Sequence, residues 1–156
     1  MERTLTLLKP DAVQRGLIGA IIARFEHKGL RLAAVKMLAI EEERARQLYA
    51  MHVEKDFYEP LVRFITSGPV VAMVWAGKEA IAVCRSLMGA TFGPDAAPGT
   101  VRGDFGLSRR HNLVHGSDSA ESARREIDLF FAAEEICSYE LASANWVYAA
   151  GDGERI

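Results

Sequence analysis

Residues 70–76, Val-Val-Ala-Met-Val-Trp-Ala, form an unbroken apolar run. The run is far too short to span a bilayer and reads as a strand covered on both faces, near the middle of a sheet. Ser67-Gly68-Pro69 closes the helix before it. A second helix follows over residues 78–88, with Ile81, Cys84, Leu87 and Met88 facing inward and Gly89 as its stop. A covered strand followed at once by an amphipathic helix calls for layers of helix packed on sheet.

The rest of the chain fits around that core. Residues 4–8 read as a buried first strand ending at Lys9-Pro10. A helix follows Gln14-Arg15-Gly16, with Ile18, Ile21, Ile22 and Phe25 on one face and Gly29 as its stop. Residues 30–40 make a longer strand. Glu41-Glu42-Glu43 opens a helix with Ala45, Leu48 and Tyr49 as its apolar stripe. Asp56 and Glu59 fit a capping box for the next helix, with Phe57, Leu61, Phe64 and Ile65 on one side and Pro60 in the first turn. Residues 90–114 show no periodicity, are punctuated by glycine and proline, and are locally basic through Arg102, Arg109, Arg110 and His111. A loop of that length is more often functional than idle. Beyond it, Asp118 is the expected N-cap of a short helix over 119–125, with Glu121 completing a capping box. A fourth strand is expected over 127–131 and a helical turn over 132–136. Residues 138–156 form a tail anchored by Trp146-Val147-Tyr148. The order suits one α/β domain over residues 1–156, built from two βαβ units. Pattern alone leaves a split βαβ arrangement and a doubly wound sheet both open.

A net charge of -2 argues against a general nucleic-acid binder, which is normally strongly basic. Any anion site must come from local clustering. Cys84 and Cys137 lack metal-ligand or redox-pair spacing and sit in apolar contexts, so buried free thiols in a reducing compartment are expected. The N-terminus has no basic region followed by a long apolar core, and a cytoplasmic protein with no membrane segment is the expectation.

Several nucleotide and metal motifs are missing: no phosphate loop of the Gly-x4-Gly-Lys-Ser/Thr type, no Gly-x-Gly-x-x-Gly after a strand, no His-Glu-x-x-His, no EF-hand loop. Gly116-Ser117-Asp118-Ser119 is not the Gly-x-Ser-x-Gly elbow of a serine hydrolase. His115 stands out, because it precedes a helix start. The positive end of the helix dipole disfavours imidazolium, keeping the ring neutral and nucleophilic, while free N–H groups attract phosphate. Phosphoryl transfer, plain phosphate binding and an idle turn all fit that position. Lys9, Arg85, Thr91, Arg102 and Asn112 offer phosphate-compatible donors, and Tyr49 and Phe57 offer flat faces for a base. Each also has an ordinary alternative as a solvated or packing side chain.

Taken together, the residues narrow the choice. Leu8-Lys9-Pro10-Asp11-Ala12-Val13, Thr66-Ser67-Gly68-Pro69-Val70-Val71, Gly99-Thr100-Val101-Arg102-Gly103-Asp104 and Asn112-Leu113-Val114-His115-Gly116-Ser117-Asp118-Ser119 occur in this order. With them the chain resembles the nucleoside diphosphate kinases from Arg3 to about Cys137. The resemblance implies a ferredoxin-like α/β sandwich, a four-stranded antiparallel sheet in βαββαβ order with helices covering it. It implies ping-pong transfer of a γ-phosphate between nucleoside triphosphates and diphosphates through a phosphohistidine on His115. Lys9 would contact the ribose and phosphate side, Tyr49 would lie near the histidine, and Phe57 would stack on the base. Arg85, Thr91 and Arg102 would hold phosphates, with Asn112 on the sugar. Glu126, supported by Ser117, would orient His115. Magnesium (Mg2+) would ride on the nucleotide phosphates rather than in a protein cage, with Asp118 as the nearest contributor. The family's habit implies a homo-oligomer, a hexamer ahead of a tetramer, with residues 138–156 between subunits.

Three departures fall in the base pocket and its loop: Asp56 where the family usually has proline, Phe92-Gly93 in place of Asn-Pro, and Arg109 where a small apolar residue is common. Arg109 could still stack through its guanidinium plane. A nucleotide-binding regulatory module without turnover is the rival reading, disfavoured because every position for chemistry is filled.

Overall fold

The computed structural model describes residues 1–149 and 152. The expected tail therefore lies partly outside the described residues, at 150, 151 and 153–156.

Four strands form one antiparallel sheet: β1 (Glu2–Leu8), β2 (Arg31–Ala39), β3 (Pro69–Gly77) and β4 (Val114–Gly116), in the order β2-β3-β1-β4. The apolar run sits in β3, hydrogen-bonded on both sides, with Leu8 opposite Val71 and Leu32 opposite Trp75. β1 and β2 run parallel with β3 between them, and β3 and β4 run parallel with β1 between them. This is the split βαβ arrangement, and the doubly wound alternative is gone.

Strand alternation sorts β3 onto two cores. Val70, Ala72, Val74 and Ala76 pack with α3 (Glu42–Leu48), α4 (Tyr58–Ile65) and α7 (Ala120–Phe130) through Leu48, Val62, Ile65, Ile127 and Phe130. Val71, Met73 and Trp75 pack with α2 (Ile18–His27) and α5 (Ala80–Met88) through Ile21, Phe25, Cys84 and Met88. Trp75 stacks on Phe25 with ring centres 5.2 Å apart. Its indole N–H is satisfied by Thr6 Oγ1 at 3.0 Å, which explains a threonine inside the sheet. Among the described residues no helix is long and apolar enough to cross a membrane.

Several elements differ from expectation. Residues 127–131 are not the fourth strand. Ala123, Glu126, Ile127 and Phe130 are buried at helical spacing, so α7 runs on to Phe130. The fourth strand is instead the three-residue β4, too short to show any period, and it holds His115 itself. The cap of α7 is Ser119, whose hydroxyl accepts from the Ser122 N–H, and not Asp118. No capping box forms at Asp56, because α4 starts at Tyr58 behind Phe57 and Glu59 pairs with Arg46 at 2.7 Å. The buried face of α4 is Tyr58, Val62 and Ile65, which leaves Phe57 51% exposed. A short α1 (Pro10–Gln14) follows β1 with proline in its first turn. The loop over 90–114 contains a 3-10 turn at Gly93–Asp95 and α6 (Val101–Phe105), capped by Thr100 accepting from Gly103 N–H. Among the tail residues described, α8 (Ala144–Val147) leaves Trp146 92% exposed while Val147 lies against Gly29.

Candidate active site

His115 is set by strand pairing. It sits opposite Leu7, and the backbone pairing carries on past the end of β1, where Lys9 N–H donates to the Leu113 carbonyl at 2.8 Å. Leu113 itself has φ 68, a left-handed conformation that costs roughly 1–3 kcal/mol for a side-chain-bearing residue. Asp11 offsets this by accepting the Leu113 N–H on Oδ2 at 3.1 Å. On the far side, Gly116 lies so close to α5 that a Cβ there would come within 2.6 Å of Met88 Sδ. The histidine is thus held in a short, tightly packed strand entered through the left-handed Leu113, not in the turn before a helix.

The ring has two close partners. Nε2 lies 2.8 Å from Glu126 Oε2, the same oxygen that accepts from Ser117 Oγ at 2.8 Å. Glu126 comes from α7 and is buried. A carboxylate is an acceptor only, so the neutral ring donates from Nε2 and Nδ1 keeps the lone pair. The Tyr49 ring meets His115 edge-on, with centres 5.6 Å apart at 86°. Its hydroxyl is buried without a hydrogen-bond partner, and burial, with the Glu126 charge adding, pushes its ionisation above the ordinary tyrosine range. It stays a protonated donor.

His115 faces a cleft of about 870 Å³ lined by Lys9, Tyr49, Phe57, Arg85, Thr91, Arg102, Asn112, Asp118 and Glu126. Every sequence-predicted site residue lines this cleft except Ser117, which stands behind Glu126. Lys9 Nζ donates to Asn112 Oδ1 at 2.7 Å, and Asn112 Nδ2 donates to the Thr91 carbonyl at 2.9 Å, so three of the expected contacts form one chain. Burial first, then the nearby Arg102 charge, brings the Lys9 ammonium down to about 8, with Asp11 opposing. Arg102 is lowered to about 10 by burial and by Arg85. Cations crowded in this way are stabilised by an incoming anion. Arg102 differs from expectation in one respect. Its fork donates to the carbonyls of Gly89 (2.8 Å), Asn112 (3.0 Å) and Val114 (2.8 Å), so it braces the loop as well as lining the cleft. Arg85 Nη1 reaches the Gly116 carbonyl at 3.5 Å. Asp118 is held ionised mainly by the Ser122 hydroxyl.

Aromatic and apolar groups also line the cleft. Phe57 lies beside His52 with ring centres 5.3 Å apart, and Phe64 stacks on His111 at 4.7 Å and 10°. Arg109, one of the departures, lies over the Phe92 ring at 5.2 Å and pairs with Asp95 at 3.0 Å. Four residues were not expected at the site: Asp11 supports Leu113, while His52, Phe64 and His111 line the cleft. Phe64 was expected only on a helix face and His111 only as part of a basic loop.

A family model described as nucleoside diphosphate kinase matches residues 2–136. The chain is 57% identical over 148 residues to the nucleoside diphosphate kinase of Archaeoglobus fulgidus, covering 95% of this chain and 98% of that one. It is 58% identical over 141 residues to that of Rhodopirellula baltica, covering 90% and 93%. Among solved structures, a halophilic nucleoside diphosphate kinase from Halobacterium salinarum in complex with CDP superposes with a TM-score of 0.92 at 52% identity, covering 94% of this chain and 98% of that one. A nucleoside diphosphate kinase family protein from Babesia bovis gives 0.91 at 47% identity, covering 95% and 100%.

Proposed function

The chain belongs to the nucleoside diphosphate kinase family and is an enzyme of that activity, and from that premise we propose that His115 carries the phosphoryl group. The observation that supports this most is the pairing of His115 Nε2 with the buried Glu126 carboxylate on the wall of a cation-lined cleft. Nδ1 attacks the γ-phosphorus of a nucleoside triphosphate. The N–P bond forms as the bond to the β,γ-bridging oxygen breaks, and the diphosphate departs with that oxygen. The ring then bears phosphoryl on Nδ1 and a proton on Nε2, which makes it cationic, and Glu126 is its counter-charge. A second diphosphate attacks the phosphohistidine with a terminal β-phosphate oxygen and restores the neutral ring.

Lys9, Arg85 and Arg102 supply the positive field for the phosphates, and Tyr49, edge-on to the His115 ring, offers a buried hydroxyl donor. Asn112, fixed by Lys9 and Thr91, serves the sugar and phosphate side, and Phe57 offers its exposed face to the base. Three carboxyl residues line the cleft among its cations and neutral groups: Asp56, Glu126, which is taken up by His115 and Ser117, and Asp118, which is held ionised. That set fits magnesium brought in by the nucleotide phosphates; Asp118 would help hold the ion, which would neutralise phosphate charge. A nucleoside diphosphate ligand is in keeping with the CDP bound by the Halobacterium relative. The reading includes a single domain, a cytoplasmic location and a homo-oligomer, a hexamer ahead of a tetramer, with the exposed Trp146 available to a neighbouring subunit.

Labelled ATP should mark the protein in an acid-labile, alkali-stable form, and His115→Ala should abolish both the label and nucleotide exchange. Exchange that survives in His115→Ala would end the assignment.

A further inference from the structure

Glu126 has two carboxylate oxygens, and the histidine uses one. Oε2 serves His115 and Ser117. Oε1 accepts from Nη2 of Arg125 at 3.4 Å, while Nη1 of the same guanidinium donates to the Gln47 carbonyl at 3.0 Å. Gln47 lies in the last turn of α3, and the residue that caps that helix is Tyr49, whose ring stands edge-on to His115. One guanidinium therefore ties together the two elements that touch the reactive ring, α7 through Glu126 and α3 through Tyr49.

An arginine with its side chain 41% exposed is ordinarily a solvated surface charge of little energetic weight. Two features set Arg125 apart. Neighbouring residues on a helix do not face each other, so Arg125 has no default reason to meet the buried carboxylate of Glu126. Its two terminal nitrogens also serve acceptors on two different helices, which turns a flexible side chain into a strut. The Gln47 carbonyl lies at the negative, C-terminal end of α3, where it accepts a capping backbone N–H and has a second lone pair for the guanidinium.

We propose that Arg125 is a positioning residue for phosphoryl transfer at His115. By clamping Oε1 of Glu126 to the end of α3, it aims Oε2 at the Nε2–H of the ring. It thereby holds the tautomer that leaves Nδ1 free to attack. Arg125 touches neither nucleotide nor phosphorus. The inference rests on His115 being the phosphoryl acceptor.

Single-turnover labelling with γ-labelled ATP separates the two ideas, because the unaltered protein is measured first. If it takes up no acid-labile label, the acceptor assignment itself fails. If it does, Arg125→Met should label three- to tenfold more slowly, about 0.7–1.4 kcal/mol, a small loss in keeping with a long 3.4 Å contact from a part-exposed side chain. ADP affinity by calorimetry should stay within about twofold, since the substitution leaves the phosphate-binding cations in place. Arg125→Lys, which keeps the charge but serves only one acceptor, should recover part of the rate. The ¹⁵N shifts of His115 in Arg125→Met should move toward the tautomer-averaged values. Arg125→Gln carries the same comparison if the methionine variant does not fold. A wild-type labelling rate in the neutral variant overturns the proposal, and so does a rate loss matched by an equal loss of ADP affinity.

Discussion

Glu126→Gln keeps the shape of the side chain and removes its charge. In the unaltered protein, Oε2 is the shared acceptor for His115 Nε2 and Ser117 Oγ, each at 2.8 Å, in a buried setting. Once Nδ1 is phosphorylated the ring is cationic, so the carboxylate matters more to the phosphoenzyme than to the resting enzyme. Hydrogen bonds with a charged partner contribute about 1.5–3 kcal/mol, against about 0.5–1.5 kcal/mol between neutral groups. Exchanging carboxylate for amide should thus withdraw about 1–2 kcal/mol from the phosphorylated state. At about 1.36 kcal/mol per factor of ten, the phosphoenzyme equilibrium at a fixed ratio of tri- to diphosphate falls about five- to thirtyfold. The forward labelling rate falls by up to the same factor. Rapid-quench labelling gives the rate, and titrating bound phosphate across tri- to diphosphate ratios gives the equilibrium. A folded Glu126→Gln protein that reaches the wild-type extent of labelling at the same ratio would refute the counter-charge role.

If Lys9 contacts nucleotide phosphate as proposed, binding should depend on pH. Phosphate favours the protonated amine, so diphosphate affinity should fall as pH rises through about 8, and calorimetry on Lys9→Met should show weaker binding without that step. The free protein behaves in the opposite sense. Between about 8 and the ordinary 10.5, the unfolded chain holds a proton that the folded chain has released, so the Lys9 contribution to stability grows with pH in that window. Arg102→Lys replaces a fork on three carbonyls with one ammonium. At about 1–3 kcal/mol for each buried group left unpaired, and about 2–4 °C per kcal/mol at this chain length, scanning calorimetry should record a fall in Tm of several degrees. An unchanged Tm would remove Arg102 from the loop's support. If the tail joins subunits, light scattering on a chain ending at Cys137 should give a smaller assembly than the intact protein, and an unchanged mass would show that the tail packs on its own subunit.

The sheet's centre was legible because residues 70–76 are apolar without a break, a signal that needs no knowledge of partners. The helices that cover it were legible for the same reason, through the spacing of residues such as Ile21, Phe25, Cys84 and Met88. The topology was not. Whether β1 lies beside β2 or beside β3 depends on contacts distant in sequence, and periodicity is silent about them. The fourth strand was misplaced because β4 has three residues, fewer than any alternation needs, while Ile127 to Phe131 offered a false one. The candidate site was legible as a set of residue types, and all of them but Ser117 line one cleft. What the sequence hid was division of labour: the Arg102 fork is occupied by backbone carbonyls, Ser119 and not Asp118 caps the helix, and a left-handed Leu113 needs Asp11.

The brace around Arg102 has a kinetic meaning. The loop that carries Thr91 and Asn112 hangs from one buried guanidinium that also grips the strand bearing His115. Swinging that loop away would strand the cation and three carbonyls together, several interactions lost for one movement. A transferase that must exchange one nucleotide for another between half-reactions gains from such a fixture. The doorway should therefore keep one shape from one guest to the next.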